Sequence, residues 1–247
     1  MSNRAWHYPV SFGCRVTGVS VFALACLVAL PAASDAAPIS LSDLTPGTHY
    51  RLIFETKSTT DATSASVSTY NSIVQTEASA AGLGTNWSAI VSTNTVNAIT
   101  NIACTPSCSS DPIFLVTGSE VAASTTDLFS GALLTAINVA ADGSAATNGY
   151  VWTGTNSSGT ESSFTSGTTT YYGLGNSTVE LGGSPLGGSF AIDSGSSFPA
   201  TTLASLFGIS GDLVVPAPEP ISASLLAIGA FATGVARRRR RMPSTGV

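Results

Sequence analysis

The sequence predicts an α+β fold for the middle of the chain, and three stretches predict it. His49–Glu55 alternates and is rich in bulky residues, as a half-buried strand is. Tyr70, Ile73, Val74, Glu77, Ala78 and Ala81 recur at three- and four-residue spacing before Gly82, the pattern of an amphipathic helix stopped by a glycine. Residues 113–117 and Glu120–Ala122 flank Gly118 and Ser119, which reads as a hairpin.

The remaining elements follow in order. Residues 39–44 are short and mixed, and Thr45, Pro46, Gly47 and Thr48 form a turn. Residues 61–68 are a loop or the approach to the helix. Residues 87–91 make a brief apolar strand, and residues 92–94 can cap a second short helix through Val96, Ile99 and Ile102. Thr125 and Thr126, ahead of Asp127, Leu128 and Phe129, open a third helix that Gly131 closes. Beyond Asn138 the chain is mostly turns, with a strand over residues 149–154. Glycine, serine and threonine dominate residues 157–188, so strands there are short. Residues 189–215 are Ser-, Gly- and Pro-rich with an apolar cluster at 203–209; a last strand or short helix fits there, and the stretch ends as a tether. Trp87 and Trp152 each bring an apolar area of roughly 150–250 Å² and are candidate core residues.

The two flanks of this region carry addresses. Arg4 and Arg15 border a weakly basic start, residues 16–30 are continuously apolar, and Ser34, Asp35 and Ala36 are small enough for a signal peptidase, so residues 1–36 read as a secretory signal cleaved after Ala36. At the other flank Pro218, Glu219 and Pro220 precede an uncharged apolar run, residues 221–236, and then Arg237, Arg238, Arg239, Arg240 and Arg241. Sixteen residues of helix rise ~24 Å, a little short of a ~30 Å hydrocarbon core. The arginines make up the difference, because their stems can lie along lipid while the guanidinium groups reach the headgroups, and they fix that end in the cytoplasm. A single transmembrane helix is expected, with everything before Pro216 outside and residues 242–247 as a tail.

This three-part order over residues 216–241 resembles the PEP-CTERM sorting signal of Gram-negative bacteria. The resemblance implies export through the inner membrane, transient anchoring there, and processing near Pro218, Glu219 and Pro220 by exosortase, a membrane transpeptidase-like protease. It further implies a cell-surface or extracellular destination beside exopolysaccharide.

Charge agrees with an exported domain. Seven of the nine basic residues lie in the two flanks, leaving Arg51 and Lys57 against thirteen acids, a balance of about −11 for residues 37–220. Such a surface repels nucleic acid and anionic lipid, and two cations cannot build a phosphate cluster. Cys14 and Cys26 leave with the signal. Cys104 and Cys108, with three residues between them, can close a small loop disulfide in an oxidising periplasm. A metal site would need two more soft ligands, and a redox pair usually has two intervening residues.

Catalytic constellations are scarce. His49 is the one histidine outside the signal, so a Ser-His-Asp arrangement would rest on a single strand residue, and zinc lacks ligands. Asp111 with Glu120, or Asp142 with Glu161, could in principle do paired-carboxylate work, but nothing in their spacing selects them and solvated acids that keep the protein soluble are the better account. Asn138, Asp142 and Asn148 around Gly143 form an oxygen-rich loop without EF-hand order, which leaves calcium as the one cofactor open. Residues 182–188 are a flexible glycine loop rather than a phosphate cradle, since no strand-then-helix pattern flanks them. No catalytic residue and no metal are expected.

Five pieces in order, EASAAGL at 77–83, NWSAIVS at 86–92, PIFLV at 112–116, DLFSG at 127–131 and VWTGT at 151–155, resemble the endostatin-like group of C-type-lectin-like domains. The resemblance covers roughly residues 51–188 and implies a domain over 37–188 with two or three short helices packed on small antiparallel sheets. The basic residues and histidines with which animal endostatins bind heparan sulfate and zinc have no counterpart. The expectation is therefore a non-catalytic surface or matrix protein, with a glycan-binding lectin-like module as the alternative and a secreted hydrolase as the third reading. Exosortase and signal peptidase are the expected processing partners.

Overall fold

The structure is a computed structural model that describes residues 40–217 apart from 85, 105–106, 147, 164, 167–168, 171 and 184–190. The signal segment with Ala36, the sorting motif Pro218, Glu219 and Pro220, the apolar run 221–236, Arg237 to Arg241 and the tail lie outside the described residues. Among the described residues no helix is long and apolar enough to cross a membrane.

The α+β class holds. The element on which the others are laid is strand β1 (His49–Glu55), buried on both faces from Ile53 onward. Its sheet also holds β2 (Trp87–Ala89), β3 (Ile113–Leu115), β4 (Glu120–Ala122), and two late strands, β10 (Phe207–Ser210) and β11 (Leu213–Val214). The sheet runs β2-β10-β1-β3-β4, with β11 paired to the first residues of β1. Three helices accompany it: α1 (Val67–Ala80), α2 (Ala98–Asn101) and α3 (Thr125–Ser130).

The expected all-antiparallel pairing is corrected at one place: β1 and β3 are parallel, with Arg51 opposite Ile113 and Ile53 opposite Leu115. Parallel neighbours need a long crossover, and the chain between them carries α1, β2 and α2. The expected hairpin of β3 and β4 is antiparallel.

The last strand expected at the 203–209 cluster is present as β10, while the end expected as a tether is corrected: β9 (Ser196–Pro199) precedes β10 and β11 follows it. β10 inserts between β1 and β2, antiparallel to both, and all four of its residues are buried. The domain therefore extends past residue 188. A second sheet, β5 (Val151–Trp152), β8 (Thr178–Gly182) and β9, is antiparallel, and β6 (Thr165–Ser166) with β7 (Thr169–Thr170) makes a small hairpin. The two larger sheets meet where Trp152 donates its backbone N–H to the Ser205 carbonyl, 2.9 Å.

Alternation along β1 and β10 splits the core in two. Phe54 and Leu206 join Tyr70, Val74 and Ala78 of α1 with Trp87 and Trp152 on one face. Ile53, Phe207 and Ile209 join Ile102 of the α2 end and Leu128 and Phe129 of α3 on the other. The first face admits α1 because Gly208, opposite Phe54, has no side chain: a Cβ there would lie 2.5 Å from Val74 Cγ1 and 2.8 Å from Phe54 Cζ. The Trp152 indole N–H donates to the Thr60 carbonyl at 3.0 Å, so this fully buried ring leaves no polar atom unpaired.

Helix α1 starts three residues before the periodic pattern, at Val67, and buries Tyr70, Val74 and Ala78, one side chain per turn. Its end is a Schellman motif. Leu83 N–H donates to Ala78 O at 2.9 Å and Gly82 N–H to Ser79 O at 3.1 Å, with Gly82 at φ 77°. Helix α2 is shorter than expected, with Asn97 at its N-cap rather than residues 92–94. Ser92 still serves it from outside, since Ser92 Oγ accepts the Ala98 N–H at 2.8 Å. Asn71 of α1 and Asn101 of α2 exchange amide hydrogen bonds of 2.9 Å and together satisfy both backbone groups of Ala89. Helix α3 opens as expected from its hydroxyls, but at Ser124, whose Oγ accepts the Asp127 N–H at 3.1 Å, and Gly131 closes it.

Candidate functional site

Register places the strongest cluster of polar chemistry at the end of the sheet where β1 begins. The parallel pairing sets Asp111, two residues before Ile113, level with His49, and the β11 pairing, His49 opposite Val214, brings Asp212 across from Arg51. His49, Asp111 and Asp212 then offer ligand-type atoms that all lie within 4.8 Å of one another, and among the described residues no other three His, Cys, Asp or Glu side chains do so. His49 Nδ1 sits 2.9 Å from each Asp212 oxygen. Burial raises the Asp111 pKa, with Asp212 adding to the rise and His49 and Arg51 opposing it. The set offers a cation one imidazole nitrogen and two carboxylates, but Arg51 places a positive charge among the same groups. No hydroxyl or thiol bonds to His49 among the described residues, so the histidine and Asp212 do not extend into a nucleophile triad.

Arg51 is the unusual member. It is 1% exposed, on the face of β1 that looks toward α2 and α3. Its Nε donates to the Ser210 carbonyl at 2.8 Å and its Nη2 to the Ile102 carbonyl at 2.9 Å. Burial lowers its pKa to about 10, against the pull of Asp111 and Asp212, so it remains a cation at neutral pH. Beside it lies a cavity of about 180 Å³ beneath the cysteine loop. Cys104 and Cys108 form a disulfide with Cα atoms 5.5 Å apart, and both cysteines line that cavity.

A second polar locus lies on the other sheet. Glu180 of β8 is fully buried, its Oε1 accepting the Ser196 N–H at 3.2 Å and its Oε2 without a partner. Burial, with Asp193 next, pushes its pKa up to about 7, while the backbone N–H groups of residues 194–196 hold it down. Asp193 itself lines an adjoining cleft of about 340 Å³ with Asn156, Ser162, Ser163 and Gly195.

The carboxylates weighed as pairs in the sequence are engaged elsewhere. Asp111 joins His49 and Asp212; Glu120 is buried on β4. Asp142 is held by Lys57 Nζ at 2.6 Å and by Ser144 Oγ at 2.7 Å, which keeps its pKa well below the usual carboxylate range. Glu161 accepts the Gly173 N–H at 3.3 Å. In the oxygen-rich loop Asn148 donates to the Lys57 carbonyl at 3.3 Å, so a lysine, not open space, sits among Asp142 and Asn148. Asp212 and Glu180 carried no signal in the sequence, because their roles come from pairings between strands distant along the chain. Arg51 did carry one, as the lone arginine between the flanks and on the alternating strand.

The fold and these loci define an α+β protein with a buried arginine under a disulfide loop. No family model matches the chain, and no curated protein matches it.

Proposed function

We propose that this chain is an exported, non-catalytic surface or matrix protein of the PEP-CTERM kind, released toward the exopolysaccharide layer after exosortase processing, with an endostatin-like, C-type-lectin-like domain. The observation that carries the reading is the order Pro218, Glu219, Pro220, apolar run 221–236, Arg237 to Arg241. The Cys104–Cys108 disulfide supports an oxidising compartment. The two cations between the flanks support a surface without polyanion affinity: Arg51 is buried and Lys57 is paired with Asp142. Mass spectrometry of the protein collected outside its host cells tests the sorting. The expected mass is that of a chain beginning at Ala37 and ending near Pro220. Extracellular material that still carries Arg237 to Arg241 overturns the reading.

The cleft lined by Asn156, Ser162, Ser163 and Asp193 favours a second reading, a glycan-binding module, since amide, hydroxyl and carboxylate groups around an open cleft suit sugar hydroxyls. A polysaccharide pull-down separates the two. Saturable retention that is lost in Asp193→Ala selects the binding module, and absence of retention leaves the structural role.

A further inference from the structure

The cavity under the cysteine loop is built around an incompletely used cation. A guanidinium carries five N–H donors. The described residues accept two from the Arg51 side chain, at the carbonyls of Ser210 and Ile102. Asp111 and Asp212 act on Arg51 from a distance, but the ion pairs among the described residues are His49 with Asp212 and Lys57 with Asp142. A buried cation held by two neutral acceptors is under-compensated.

A second and independent feature lies in the wall of the same space. Thr125, 4% exposed, lines the cavity, and its Oγ1 is buried without any hydrogen-bond partner. Buried hydroxyls in folded proteins are ordinarily paired. The rest of the wall includes Ile99, Ile102, Ser107, Ser109 and the disulfide of Cys104 and Cys108. At about 180 Å³ the space is below the ~300–1,000 Å³ of pockets for drug-sized ligands. It therefore suits a small group with two adjacent acceptor oxygens, one for the guanidinium fork and one for a hydroxyl donor.

We propose that this cavity binds the carboxylate of a small organic acid, with the oxygens received by the free N–H groups of Arg51 and by Thr125 Oγ1 and with Cys104 and Cys108 in its wall. Planar carboxylate and guanidinium match as a fork, and such charge-assisted bonds are about twice as strong as neutral ones. The site is independent of how the chain is sorted, since its lining comes from β1, the α2 end, α3 and the residues around Cys104 and Cys108.

Calorimetric titration of the full chain in detergent with sodium acetate and with sodium galacturonate tests it, against galactose and sodium chloride as controls. Saturable heat from acetate alone defines a site for small free acids; saturable heat from both acids extends it to the carboxylate of a uronic acid. Thr125→Val, which removes the hydroxyl at constant shape, is expected to weaken acid binding by at least about fivefold. Arg51→Gln is expected to abolish it; should that variant not fold, Thr125→Val carries the test alone. The proposal is overturned if neither acid binds to folded protein, if galactose or chloride binds as well as the acids do, or if Thr125→Val binds them unchanged.

Discussion

Glu180 makes the stability of this domain depend on pH, and replacing it with glutamine should remove that dependence. The carboxyl is fully buried, its Oε2 has no partner, and its pKa stands at about 7 against an ordinary 4.5. Between those values the folded protein holds a proton that the unfolded chain has released. Stability therefore falls as pH rises through the window and is lowest above pH 7, where the buried group is charged. At ~1.4 kcal/mol per pH unit the gap amounts to ~3 kcal/mol. In Glu180→Gln the side chain keeps its shape and cannot ionise. Urea unfolding of both proteins between pH 4 and pH 8 measures the effect. Near pH 4 the two should unfold together, since both forms of residue 180 are then neutral. At pH 8 the variant should be the more stable by up to ~3 kcal/mol, a midpoint shift of ~1.5 M for a slope of ~2 kcal/mol/M. Parallel pH profiles for the two proteins would refute the reasoning, because the difference between them isolates this one group.

Gly208→Ala should destabilise by ~1–3 kcal/mol or more, since its methyl group meets Val74 and Phe54 in a packed core; a reduced urea midpoint with unchanged slope checks this. Replacing Cys104 and Cys108 together by serine should cost about 2 kcal/mol by the loop-entropy relation for so short a ring, read from denaturation with and without reductant. Asn101→Ala breaks the amide exchange with Asn71 and strands the Ala89 carbonyl, so a loss of ~1–3 kcal/mol is expected in the same assay.

What could be read from sequence were the elements whose signals are local. β1 follows from alternation, the end of α1 from Gly82, α3 from its hydroxyls and Gly131, and the β3–β4 hairpin from Gly118 and Ser119. What escaped depends on partners far along the chain. The apolar cluster at 203–209 marked a strand or short helix, but β10 is four residues buried on both faces, showing neither alternation nor length, so its choice of strand and its place between β1 and β2 come from those partners. β5 shrank to two residues for a like reason, as its pairing with β8 stops there. The grouping of His49, Asp111 and Asp212 needs the strand order and both registers before it can be seen. The composition did foretell that Arg51 would be singular among the residues between the flanks, though not that it would turn inward.

The placement of β10 also bears on how the protein can mature. A chain synthesised from its first residue delivers β1 and β2 early, yet the slot between them is filled only by residues 207–210. Until those residues emerge, both strands show bare edges, and the long loop that must close makes this a slow, non-local step. Completion of the domain is thus tied to synthesis of nearly all of its length, and a fragment ending at residue 188 would leave both edges open to pairing with copies of itself.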